Sequence, residues 1–172
     1  VQLTEPNAEQ AGVAVAYDIK AKTYKSIYSM GRSNHENELG VPGYGKPVVL
    51  TGDDTFDAPG SQLYMLKADS GAAFWNDQGT LHVFVSDNPN VNDYGDLTTA
   101  SPSVNGHFVP VPTDIAKGKV NGHEATSADF GYPAPPAGIP DGPQWVLEHW
   151  SHNIAHAFQF IRIEDLAYDR TN

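Results

Sequence analysis

With 172 residues, 40% of them hydrophobic and including 8 Tyr, 7 Phe and 3 Trp, the chain can build one buried core and is not a disordered segment. Ten Lys and Arg stand against 21 Asp and Glu, a formal charge of −11, which argues against nucleic acid or an anionic membrane as partner because both reward clustered cations. The absence of Cys removes disulfides, thiolate metal sites and Cys nucleophiles, and no apolar run is long enough to span a membrane.

In chain order, Val13, Val15, Tyr17 and Ile19 alternate with small or polar residues, the period of a half-buried strand. The polar "KAKT" and the β-rich "YKSIYSM" (24–30) complete a hairpin. Further strands are predicted at 46–51 ("KPVVLT"), 62–67 ("QLYMLK"), 80–86 ("TLHVFVS") and 157–163 ("AFQFIRI"), most of them separated by turn signals such as "APGS" and "NDQG". Residues 87–145 are rich in Asn, Asp, Pro and Gly and read as a long loop-rich insertion, with one weak strand at "HFVPVP". "PQWVLEHWSHNIAHAF" is the one helix candidate, because Trp145, His149, His152 and His156 recur at helical spacing. Short, regularly spaced strands predict an all-β fold: a sandwich, barrel or propeller. A last strand without a closing partner predicts that Phe158 and Phe160 need cover from beyond residues 1–86, and that the chain is part of something longer.

Two stretches carry candidate chemistry. In an extended "SNHEN", Asn34 and Glu36 share one face with His35 opposite; a carboxylate with an amide carbonyl suits Ca²⁺, and His35 suits a transition metal. Asp53 and Asp54 follow a predicted strand and Gly52 and are possible further ligands, although an Asx-rich turn explains the same residues. In an extended "FIRIEDLAYD", Arg162 and Glu164 project from one face roughly 7 Å apart, with Asp165 opposite or opening a turn. There the carboxylate takes a cation and the guanidinium an oxyanion by a bidentate fork, unless the two form an exposed ion pair. His152 and His156 at i, i+4, with Glu148 and His149 a turn earlier, present a zinc-like spacing without the "HExxH" arrangement.

These motifs resemble the PhoX-type alkaline phosphatases. The likeness rests on "GRSNHE", on "GDD" leading into "QLYML", and on "RIED" followed by an aromatic residue and Asp, within residues 12–69 and 157–170. The resemblance implies a secreted or periplasmic β-propeller whose axial pocket holds several calcium ions, with iron in characterised members, and which hydrolyses phosphate monoesters. It further implies Glu36 and Glu164 as metal ligands and Arg162 as the phosphate-holding residue. Asn34, His35, Asp53, Asp54 and Asp165 are possible neighbours in that pocket. The Cys ligand expected at an iron centre is absent, and the predicted strands amount to about two blades, so the rest of the same polypeptide or another chain is expected to complete the propeller. A calcium-stabilised binding propeller without catalysis and a lactonase-like esterase are the alternatives on the same scaffold.

Overall fold

The computed structural model describes residues 12–55 and 60–169. The chain is mostly β, and among the described residues there are three antiparallel sheets, none closed on itself. β1 (Val13–Asp18) and β2 (Thr23–Arg32) form the expected hairpin, with Tyr17 opposite Tyr24. β3 (His35–Gly40), β4 (Val48–Asp53), β5 (Leu63–Lys67), β6 (Thr80–Ser86) and β7 (Gly106–Pro110) then pair in chain order as a five-stranded meander. A ladder of two residues a side, β8 (Lys119–Val120) with β9 (His123–Glu124), is the third sheet.

The register of the meander decides which residues are buried together. Thr51 pairs with Tyr64, Tyr64 with Val83 and Leu66 with Leu81, so these side chains share one face. Ile27 and Met30 of β2 cover part of that face. Two helices cover the rest. One is α2 (Thr113–Lys117), which supplies Ile115; the other is α4 (Pro143–His149), which supplies Val146 and Leu147 and is followed by Trp150. Burying aliphatic side chains of this size contributes about 1.5–3 kcal/mol each, which makes this layer the principal source of stability. Gly31, at φ +99°, lets β2 reach it: a Cβ there would meet Cδ2 of Leu81 at 3.1 Å and of Leu147 at 3.2 Å.

Residues 87–145 hold more order than a loop-rich insertion. Besides β7 at the weak strand signal, they contain α2, the β8–β9 ladder and α3 (Ser127–Phe130). Each is too short for periodicity to show, yet each has its own stop signals: Gly118 and Gly131 end α2 and α3 in the left-handed conformation, and Asp129 closes a capping box with Thr126. A further short helix, α1 (Gly71–Trp75), is capped by Ser70 between β5 and β6.

One expectation is corrected near the end of the described residues. Residues 157–163 do not form a strand but touch three partners in turn, through isolated bridges from Ala157 to Val85, Gln159 to Asp93 and Phe160 to Ser61. The segment therefore crosses the end of the sheet instead of extending it, and Arg162 at φ +44° ends any extended run. Phe158 and Phe160 each meet Phe84, with ring centres 6.3 and 6.1 Å away, and pack against each other at 4.8 Å.

The predicted helix begins with Pro143 at its first turn and passes at Trp150–Ile154 into a π turn, in which the Ala155 N–H reaches the Trp150 carbonyl at 2.9 Å. His156 then adopts φ +54° beyond the end of the π turn, so the helical i, i+4 spacing expected of His152 and His156 does not continue to it.

Candidate functional site

The crossing segment places Arg162 over β4. Alternation puts Gly52 on the face opposite Thr51 and Asp53, and there the backbone of Ile163 comes so close that a Cβ on Gly52 would lie 2.6 Å from its carbonyl oxygen. Ser61 fastens the same contact: its Oγ accepts from the Ile163 N–H at 3.0 Å and donates to the Asp53 carbonyl. Held this way, Arg162 donates through Nε to Asp54 Oδ1 at 2.9 Å and through Nη2 to Asp54 Oδ2 at 3.3 Å. Nη2 also lies 3.0 Å from Glu164 Oε1. The Arg162 guanidinium is pushed above its ordinary range, first by the hydrogen bonds and charge of Asp54, then by Glu164 and Glu36. Two motifs from opposite ends of the chain thus meet at one guanidinium.

The other side of β4 carries a different pair of acids. Asp53 is fully buried, and its carboxyl is held well above the usual carboxylate range by desolvation and by the charge of Glu148. Thr55 Oγ1 lies 3.2 Å from both Asp53 oxygens and 3.1 Å from Glu148 Oε1. One hydroxyl has a single proton to give, so the arrangement is satisfied when protonated Asp53 donates to Thr55 and Thr55 donates to Glu148. Behind this chain, the Tyr64 hydroxyl is bonded to Gln62 Oε1 and Ser151 Oγ, and burial raises its pKa. Neighbouring Asp53 and Asp54 therefore serve separate sites, one buried beside Thr55 and Glu148 and the other holding the Arg162 guanidinium.

A cavity of about 410 Å³ opens beside Glu148, with Asn34, Thr55, Trp145 and His149 among its lining residues. The Asn34 backbone links it to the Arg162 cluster: its N–H donates to Asp53 Oδ1 at 3.2 Å and its carbonyl accepts from the Asp54 N–H at 3.0 Å.

Compared with known protein families, with curated proteins and with solved structures, the chain matches none. Asp54 and Glu164 are both brought to Arg162, and Glu36 is felt there only through its charge, whereas Asp53 belongs to the opposite face with Glu148. His35 is not an open transition-metal ligand: Nδ1 lies 2.9 Å from Thr51 Oγ1, Nε2 lies 3.2 Å from the Gly31 carbonyl, and burial lowers its pKa. Asp165 is exposed in an irregular segment. Arg162 and Glu164 meet without sharing a strand face, since the left-handed turn at Arg162 swings the guanidinium back. Among the described residues no three His, Asp or Glu side chains form a ready-made metal cluster. Thr55 and Glu148 are additions that sequence did not offer as a pair, since 93 positions separate them.

Proposed function

We propose that the chain is part of a calcium-dependent phosphomonoesterase of the PhoX type, built on a β-propeller and working outside the cytoplasm. The observation that carries this reading is the pairing of Arg162 with both Asp54 and Glu164, to which Glu36 adds the pull of its charge. Two carboxylates on one guanidinium leave a formal excess of one negative charge, to which the charge of Glu36 adds, and a divalent cation would balance it. The donors are all hard oxygens, so the set fits calcium; it does not fit an iron centre that needs a thiolate. Glu36 and Glu164 would hold the ion, with Asn34 beside them, and bound calcium supplies charge neutralisation of the phosphoryl oxygens. The chain's own contribution is Arg162, whose planar fork suits two phosphate oxygens and whose position is set by Ile163 on Gly52. For Arg162 to take a phosphate, Asp54 keeps it oriented while Glu164 turns to the cation.

The antiparallel meander supports the propeller part of the reading, because a blade is such a sheet. The hairpin of β1 and β2 leaves Val15, Tyr17, Ile19 and Tyr24 exposed, a face suited to cover by the rest of the polypeptide or another chain. A second reading, a non-catalytic calcium-stabilised propeller, is favoured by one fact: Arg162 already spends its fork on Asp54 and Glu164 and so resembles a latch.

Release of 4-nitrophenol from 4-nitrophenyl phosphate, with calcium and after chelation, separates the two. The phosphatase reading expects turnover that chelation abolishes and that Arg162→Lys lowers by about 10²–10³ with metal affinity kept. Calcium binding without turnover would leave the latch.

A further inference from the structure

The cavity beside α4 is built unlike the Arg162 cluster. One wall is aromatic and fixed: the Trp145 indole N–H donates to the Pro133 carbonyl at 3.2 Å, and the His149 ring stands 5.6 Å from Trp145 and 4.6 Å from Tyr132. Desolvation and the neighbouring His152 lower the pKa of His149, so this wall is uncharged at neutral pH. The mouth holds an exposed apolar side chain, Ile139, at 44% exposure, with surface left for a ligand to cover. At the floor, Glu148 accepts from Gln144 Nε2 at 2.8 Å and from Thr55, which fixes its carboxylate at the end of the hydrogen-bond chain from Asp53. The π turn at Trp150–Ile154 adds a residue to the helix and sets His152 and Asn153 at the rim, an irregularity frequent at binding sites.

Each feature restricts the occupant. The volume of about 410 Å³ lies within the range of small-molecule sites. Aromatic walls and an apolar mouth favour a flat ring. A carboxylate floor with a second acid behind it repels anions and rewards a hydroxyl or amine donor.

We infer that this cavity is a binding site for an uncharged, ring-bearing alcohol, stacked on Trp145 and His149 with its hydroxyl donating to Glu148. The site is separate from the Arg162 cluster and stands whether or not phosphate is hydrolysed there.

The test is a titration of the ¹⁵N-labelled 172-residue chain with 2-naphthol, followed by NMR. Saturable shifts are expected at the Trp145 indole N–H and the Glu148 and His149 amides, with naphthalene-2-carboxylate binding at least about tenfold more weakly because its charge faces Glu148. Trp145→Ala should weaken naphthol binding by about tenfold or more. Should that variant misfold, Ile139→Glu changes only the exposed mouth and should weaken binding to a similar degree. Absence of saturation, equal binding of the carboxylate, or an Ile139→Glu variant that binds as well as wild type would each overturn the inference. A parallel arm with inorganic phosphate and calcium reads the Arg162 side-chain Nε–H, so failure of either site is seen independently of the other.

Discussion

Arg162 grips Asp54 across 108 positions of chain, its Nε 2.9 Å from one carboxylate oxygen. The bond exists because the following residue, Ile163, lies flat on Gly52, which immediately precedes the Asp53–Asp54 pair. The contact that positions the candidate site is thus a missing side chain, and this leads to the first expected outcome.

Gly52→Ala should push Ile163 away, because the nearest atom to the new Cβ is a backbone carbonyl that has no rotamer to adopt. A loss of about 1–3 kcal/mol is expected from overpacking, together with weaker docking of residues 160–164. Urea denaturation and hydrogen exchange at the Ile163 amide measure the two effects; a variant with wild-type stability and protection would contradict the contact.

Calcium should stabilise the fold. If Glu36 and Glu164 hold the ion, calcium at 10 to 100 times its dissociation constant adds about 1.4–2.7 kcal/mol by mass action. Glu36→Gln and Glu164→Gln should each remove most of that gain while magnesium stays a poor substitute. Thermal melts with and without calcium decide it: an unchanged melting temperature for wild type, or a full calcium response in both variants, rules out these ligands.

The pH dependence of stability should carry the mark of Asp53. Its carboxyl keeps a proton in the fold well above the ordinary value of 3.8, whereas the unfolded chain has released it. The native state then binds more protons, so stability is fully present below about pH 4 and falls as pH rises toward the folded-state pKa. Asp53→Asn cannot ionise and should flatten that descending limb, so that it gains on wild type as pH increases. Denaturation midpoints measured from pH 5 to 9 would show parallel curves if Asp53 were already ionised in the fold.

The motif residue Arg32 is expected to act in stability and not in the site. It is 2% exposed, and its Nη1 lies 2.9 Å from Glu124 Oε2, far along the chain in β9. Glu124→Ala should cost about 2 kcal/mol, below the usual 3–5 for a buried pair because Glu124 is partly exposed. Calcium affinity should not change, which a titration of the variant checks.

What the sequence determined alone was local. Alternation in Val13–Ile19 and the apolar runs near 48, 63 and 80 fix strands because side-chain period follows from backbone geometry, and the Pro143 start with a 3.6-residue repeat fixes α4. The candidate residues Glu36, Asp54, Arg162 and Glu164 were also legible, since chemistry-bearing side chains stand out in short polar stretches. Only the tertiary structure decided what they do together. Residues 157–163 have strand composition, but strand pairing needs an open edge, and here the backbone groups find Phe84, Asn92 and Ser61 instead. Neighbouring Asp53 and Asp54 look alike in sequence, yet one is fully buried near Glu148 and the other takes Arg162. Charge state and partner depend on desolvation and on groups about a hundred positions away, and those distances are set by packing rather than by local spacing.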